Sequence, residues 1–382
     1  DNATAVYEGK PEWRRVIGGD GGFTCIDPTN DEKVYGSIYW LAAFRSIDRA
    51  KTFQYIFPQQ GANTANFIAP ICLCEAEENI LATSGDTFYL SENGGATWTK
   101  PIQGSLIDSG RICNALSFAP SDCNYLYAST TPFKQGIQGA VVRKGNAQCI
   151  RSKDKGRTWT NIQAGIPNRI VMDFAVDPNI PQRVYAVCSG FGTPHVFFSE
   201  DAGLNWLPLT NGLPDVPFNS VIIDPFQPEH IYAGSDLGVW FSRNSGKDWE
   251  SFNEGLVEAC LVMDLSVSKA NKKLRIGTHG RGMFERSLVS SFLPVVSENL
   301  KQEINLFSCY PNPVKDYIFI KSNKKAIAGS ALVMCDVLGQ PLKTIRLQEG
   351  EQKIELVNFP PGLYWLILRN GGVSQSEVFT IQ

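Results

Sequence analysis

No apolar run in this 382-residue chain approaches the roughly 20 residues a helix needs to cross a bilayer, so no transmembrane segment is expected. Basic excess is missing too. The formal net charge is -3, and no Lys/Arg stripe interleaved with aromatics is there to track a phosphate backbone, which excludes nucleic acid as a partner. The N-terminus has neither the basic start nor the apolar stretch of a signal peptide. The expectation is that a signal has been removed or that the chain is the C-terminal part of a longer one. Among ten cysteines, no Cys-x-x-Cys pair is completed by a second pair or a His cluster, so no metal and no cofactor is expected. Cys72 and Cys74 alternate along an expected strand and point to opposite faces, which argues against a bridge between them. Scattered buried thiols, with one or two disulfides such as Cys113 to Cys123, are expected.

What the chain has instead is glycine, proline and aromatic residues: 34 Gly, 22 Pro and 11% aromatics, with 43% hydrophobic and 19% charged residues. That composition describes a globular protein of many short strands and tight turns. The length exceeds one ordinary core, so two domains, or a repeat domain with an appendage, are expected. One eight-residue pattern recurs: Ser, any residue, Asp or Asn, any, Gly, any, Thr/Asn/Asp, Trp. Intact copies occupy 91–98, 152–159, 199–206 and 242–249. Their fixed positions are Ser91, Asn93, Gly95 and Trp98; Ser152, Asp154, Gly156 and Trp159; Ser199, Asp201, Gly203 and Trp206; and Ser242, Asn244, Gly246 and Trp249. A weaker copy at 46–53 has Ser46 and Asp48, with Ala50 in the Gly position and Phe53 in the Trp position. Third positions lie about 43 to 61 residues apart, which fits propeller blades, and the longest interval holds an insertion at 130–147.

Around each copy the phrasing repeats. In the clearest unit, 170–178 (IVMDFAVDP) is an apolar strand closed by Asp-Pro, 183–188 is a second, 195–199 a third, and 206–209 begins a fourth. Four short antiparallel strands make one blade. The eight-residue pattern reads as a hairpin stop: the Ser hydroxyl and Asp/Asn side chain accept turn amides, Gly takes a positive φ, and the Trp ring folds over the turn. Asn replaces Asp at 93 and 244 because the acceptor oxygen matters and the charge does not. The role expected for the pattern is structural.

These boxes and the surrounding VDP, VYAG and SxDxGxxW phrasing resemble the Asp-box (BNR-like) propellers shared by sialidases, sortilin-type receptors and xyloglucan-cleaving endoglucanases, over about residues 15–287. The resemblance implies an all-β propeller with the boxes on the outer blade edges, where they identify the fold and not the function. Strand sets give five boxed blades and a sixth unit without a box at 260–285, about six in this chain, possible members of a larger propeller. The sixth lacks a fourth strand. Residues 12–17, with Trp13 in the place of a box Trp, either supply it or form the fourth strand of an upstream blade, and the second is the expectation.

Blade phrasing stops at Arg286, so 1–286 is assigned to the propeller, 287–306 to a linker and 307–382 to a small Ig-like β-sandwich. The sandwich carries Pro311, Asn312, Pro313 and Asp316 in PNPVKD, a D-x-x-G turn at Asp336 and Gly339, and Gly362 and Tyr364 in PGLY. Tyr317 and Phe319 alternate with Ile318 and Ile320 in strand fashion. In this order the landmarks are similar to the C-terminal sorting domain (type A) of the type IX secretion system of Bacteroidetes. That resemblance implies a chain handed to the type IX secretion machinery and left secreted or attached to the outer-membrane surface. The final SEVFTIQ departs from the Lys-rich end frequent in that family.

A catalytic reading must find its groups in channel-lining strands or top-face loops. Asp173 and Asp264 each follow Val-Met at equivalent innermost positions of two blades, and two carboxylates roughly 5 to 10 Å apart could serve glycoside hydrolysis. The simpler reading is that each caps or solvates the channel, and similar surroundings would not separate acid from base. No Arg-Ile-Pro motif or Arg cluster supports sialidase chemistry. His279 and Arg281 in THGRG read as a Gly-rich turn, and His195 and His230 as structural residues at strand starts. Tyr39, Trp40 and Trp240 are the candidate aromatic platforms. The expected function is a non-catalytic binding or adhesion module for a surface glycan or protein ligand; the alternative is a polysaccharide hydrolase related to the xyloglucan-cleaving propellers.

Overall fold

Valine, isoleucine and aromatic residues at alternating positions favour pleated, half-buried strands, and the chain is antiparallel β-structure almost throughout. The computed structural model describes residues 3–10, 12–61, 64–102, 106–135, 141–143, 145–257, 259–289, 307–322, 331–336, 340–348, 350–370 and 373–382. It divides into two compact units, Asp1–Ser291 and Phe292–Gln382.

The first unit repeats one sheet. Its first sheet contains Gly21–Ile26, Val34–Ile38, Ala43–Ser46 and Gln54–Phe57, and its second Ile71–Leu73, Leu81–Ser84 and Phe88–Ser91, extended by a bridge from Leu90 to Thr99. The third contains Cys113–Ala119, Asp122–Thr130, Gln148–Ser152 and Thr160–Asn161; the fourth Val171–Val176, Val184–Cys188, Val196–Ser199 and Leu207–Pro208. The fifth contains Phe218–Asp224, Gln227–Ser235, Gly238–Ser242 and Glu250–Ser251; the sixth only Val262–Ser268, Lys273–Thr278 and Met283–Ser287. The insertion in the third sheet forms a small hairpin, Phe133–Gln135 with Val141–Arg143, and its residues 136–140 and 144 lie outside the described residues.

Asp-Pro ends the first strands for a local reason. Asp177 Oδ1 accepts the amides of Asn179 and Ile180, at 2.9 and 3.1 Å, and Asp27 Oδ1 accepts those of Thr29 and Asn30. An Asx turn of this kind satisfies amides that the ladder has released. Successive sheets then pack on one another through large side chains. Tyr127 and Phe174 share a core with Phe197 and Trp206 between the third and fourth sheets, and Tyr185 joins Phe218, Ile231 and Trp249 between the fourth and fifth. Each such ring contributes about 1.5–3 kcal/mol through burial. The Tyr127 and Tyr185 hydroxyls donate forward to Pro181 O and Ser245 O.

One expectation needs correction, and one alternative falls away. Cys123 is bonded to Cys74, not to Cys113, which stays a free buried thiol. The reason is register: Cys113 pairs with Thr130 at the far end of the strand pair, whereas Cys74, at the end of the second sheet, meets Cys123 from the side. Residues 12–17 do not pair with the sixth sheet. Trp13–Ile17 forms a separate hairpin with Thr4–Tyr7.

The second unit is a sandwich of two antiparallel sheets. One holds Phe307–Tyr310, Tyr317–Ser322 and Gly350–Glu355; the other Pro341–Arg346, Ala331–Cys335, Gly362–Asn370 and Val373–Ile381. Phe307, Ile318 and Ile320 meet Leu332, Leu366, Leu368 and Phe379 in one core. The sequence landmarks are joints of this sandwich. Asn312 donates to Val378 O and accepts Thr380 N–H, the Asp336 carboxylate accepts Gln340 N–H, and the Tyr364 hydroxyl donates to Pro360 O. Gly339 and linker residues 290–306 lie outside the described residues.

Candidate functional site

The first strands of all six sheets line a common cavity of about 380 Å³. Asp173 and Asp264 both reach it. Asp173 Oδ2 accepts Ser220 Oγ–H and Val221 N–H, each at 3.0 Å, and its Oδ1 accepts Phe174 N–H at 2.8 Å. Burial pushes its pKa up to about 7, with the Asp264 charge adding to the rise and these hydrogen bonds opposing it. Asp264 is wetted by the cavity yet ringed by protein. Confined water solvates a carboxylate less well than bulk water does, so burial raises its pKa as well, against one backbone hydrogen bond from Leu265. The expectation of similar surroundings is therefore not met: Asp173 is half-buried and held by three hydrogen bonds, whereas Asp264 is open to the channel and held by one. Ser220 links the two strands, since its Oγ also accepts Leu265 N–H. Cys25 and Cys72 line the same cavity, and Lys269 pairs with Glu75 at its edge.

The Asp173 shift carries a stability prediction. Below about pH 4 the carboxyl is protonated in folded and unfolded chains alike; as pH rises towards 7 the unfolded chain releases the proton first, and stability is lost. Three pKa units set a ceiling of about 4 kcal/mol, which contact with channel water reduces to about 2. Denaturant unfolding should therefore find Asp173→Asn close to the parent at pH 4 and more stable at pH 8. A variant less stable at pH 8 than the parent would count against the shift.

The five eight-residue turns share one hydrogen-bond scheme. Each Ser Oγ accepts the amide four residues on, at 2.8–2.9 Å, and donates to the Asp or Asn Oδ1. That Oδ1 in turn accepts the amide four residues beyond it. Hydrogen bonds led by Thr52 hold the Asp48 carboxyl down at about 2. Gly156 takes φ +81°, and a Cβ there would stand 2.2 Å from Phe88. Trp98 and Trp206 donate from Nε1 to Ile56 O and Ile162 O of the preceding unit.

The strand ends opposite these turns carry two further clusters. Tyr39, Trp40 and Phe67 form an aromatic group: Tyr39 and Phe67 stack with centroids 5.8 Å apart, and Trp40 stands edge-on to Phe67 at 6.0 Å. Trp40 and Leu41 are held at φ +55° and +72°, and Phe67 is 50% exposed. Positive φ at two bulky residues is backbone strain. Trp240 is not part of this platform; it packs in the sheet core and donates to Ser235 Oγ. In the second cluster, buried His195 Nε2 lies 2.8 Å from Asp215 Oδ1, and Asp215 also accepts Gly192 N–H. The bond to His195 holds the Asp215 carboxyl below its usual range. His230 is buried edge-on against Phe241. His279 and Arg281 are exposed in a turn whose Gly280 and Gly282 both have positive φ.

Asp215, Phe67 and Ser220 escaped the sequence reading. His195 and Asp215 are 20 residues apart on different loops, and Phe67 sits in a stretch with no periodicity, so only the folded contacts single them out. Among the described residues no cluster of His, Cys, Asp or Glu is arranged to hold a metal ion.

Residues 308–382 match the family of secretion system C-terminal sorting domains. The chain is therefore a type IX secretion substrate exported to the cell surface or the extracellular space, and none of its described helices is long and apolar enough to cross a membrane. No curated protein sequence matches it. Among solved structures, it is similar to an ancestral GH74 enzyme (13% identity, 94% of this chain and 62% of that one, TM-score 0.50) and to YCF48 bound to D1 peptide (12%, 76% and 82%, TM-score 0.50). It is also similar to the GH74 xyloglucanase from Xanthomonas campestris (15%, 72% and 53%, TM-score 0.43). The chain thus spans 53% and 62% of the two GH74 proteins, and the likeness to the ancestral GH74 enzyme and YCF48 shows a shared all-β propeller fold.

Proposed function

We propose that the chain is an Asp-box β-propeller, over residues 1–286, joined through 287–306 to its sorting domain and acting outside the cell as a non-catalytic binding module for a glycan or protein ligand. One observation carries the reading: the Asp173 carboxylate accepts three hydrogen bonds, from Phe174, Ser220 and Val221, and so serves to join neighbouring channel strands. Hydrolysis needs one carboxyl kept protonated and its partner kept ionised, both turned to the sugar, whereas these hydrogen bonds commit Asp173 to its own and the adjoining strand. The box aspartates are engaged in their own turns, which supports a structural role for them.

The aromatic group Tyr39, Trp40 and Phe67 is the surface best suited to contact a ligand, because flat rings on a strained loop lose little freedom on binding. The peptide-bound relative favours a protein ligand; the GH74 relatives favour a glycan, and they keep a hydrolase as the second reading. Labelled chain on an array of plant and bacterial glycans, and against peptides captured from a surface proteome, tests the proposal. Phe67→Ala should weaken binding about tenfold or more, equivalent to about 1.4 kcal/mol, without changing Tm. Binding that ignores Phe67, Trp40 and Tyr39 alike would remove the platform.

A further inference from the structure

The hairpin Thr4–Tyr7 with Trp13–Ile17 follows the register of the repeat. In every boxed turn the residue before the Ser position pairs with the residue after the Trp position: Arg45 with Gln54, Leu90 with Thr99, Arg151 with Thr160, Phe198 with Leu207 and Phe241 with Glu250. Val6 pairs with Arg14, which places Tyr7 and Trp13 in the Ser and Trp positions of a turn one residue shorter. Six residues after Trp159, Trp206 and Trp249 stand Gly165, Gly212 and Gly255, all at positive φ; six after Trp13 stands Gly19, at φ +75°. The hairpin also abuts the next turn as the preceding units do. Gly95 and Gly246 lie against Ile56 and Leu209 of the units before them, and Arg14 Nη1 donates to Ala50 O at 3.0 Å.

Strands three and four of a repeat are thus in place without strands one and two. Inside the hairpin lies a cleft of about 560 Å³ between the sixth and first sheets, lined by Tyr7, Trp13, Thr24, Val34, Ser266 and Arg275. Its walls are the inner strands of both neighbours, where the inner pair of an intervening sheet would pack. Trp13 is 45% exposed, against 8% for Trp206.

We propose that this cleft is the seat of an antiparallel strand pair of the repeat's own inner-half type, which adds to the free edge of Thr4–Tyr7 and completes a seventh sheet. In the complete sheets the inner pair precedes the outer pair in the chain, so a pair joined ahead of the hairpin is the occupant tested. An isolated two-stranded hairpin is marginal in water, and an unpaired edge is a template for strand addition.

The test is the full chain preceded by a second copy of residues 217–237, the inner pair of the fifth sheet. Hydrogen exchange at Thr4–Tyr7 should slow at least tenfold, and Trp13 emission, isolated by difference from Trp13→Phe, should move to shorter wavelength. A copy carrying Val221→Pro and Tyr232→Pro should do neither. Should the extended chain fail to fold, the same hairpin added as a separate peptide to the unextended chain decides on the same two readouts. The proposal is overturned if neither form changes exchange or emission, or if Thr4–Tyr7 of the unextended chain already exchanges as slowly as Ala43–Ser46.

Discussion

Cells expressing the chain without residues 307–382 should accumulate a folded propeller in the periplasm and display none at the surface. The export address is the C-terminal sandwich, whose core of Phe307, Ile318, Leu366 and Phe379 is its own. The propeller's cores are built between its own sheets, such as Phe174 with Phe197 and Trp206, so its folding does not draw on the sandwich. Fractionation with surface protease digestion, alongside circular dichroism of the periplasmic form, measures both halves of the expectation. Undiminished surface display after the deletion would mean that another part of the chain carries the address.

Trp206→Ala should destabilise the propeller by about 3–5 kcal/mol, as deletion of a well-buried large ring does. Trp206 is 8% exposed and its Nε1 donates to Ile162 O across the junction of two sheets, so the change opens a cavity and also strands a carbonyl. Trp13→Ala offers the internal contrast, because its ring is 45% exposed and should cost under about 1.5 kcal/mol by the same reasoning. Thermal unfolding of the two variants beside the parent measures the difference. Equal losses would mean that the Trp position does not act through burial.

The eight-residue turns were legible from sequence because all their hydrogen bonds are local. Ser199 Oγ to Gly203 N–H and Asp201 Oδ1 to Asn205 N–H each close over four residues, so spacing alone encodes them. The sorting sandwich was legible for a related reason: Asp336 and Tyr364 each bond a residue four positions away. Contacts between distant segments left no such trace. The Cys74–Cys123 bridge spans 49 residues, and ten cysteines permit many pairings. The hairpin of Trp13–Ile17 with Thr4–Tyr7 was hidden by its degenerate turn, which keeps the Trp and the later Gly but has Tyr7 where the hydroxyl of Ser should be. Asp173 and Asp264 were found by their matching strand positions, while their linkage through Ser220 depends on how neighbouring sheets pack.

The reading as a binding module rests on those two carboxyls serving the packing of the channel strands, and turnover tests it most directly. Purified chain should be incubated with xyloglucan, mixed-linkage glucans and sialosides, with released reducing sugar and sialic acid measured beside Asp173→Asn and Asp264→Asn. No product is expected from the parent or either variant, since Asp173 is held by three hydrogen bonds from Phe174, Ser220 and Val221 and is not free to serve a substrate. Turnover by the parent that disappears in either variant would contradict the account and make the channel an active site.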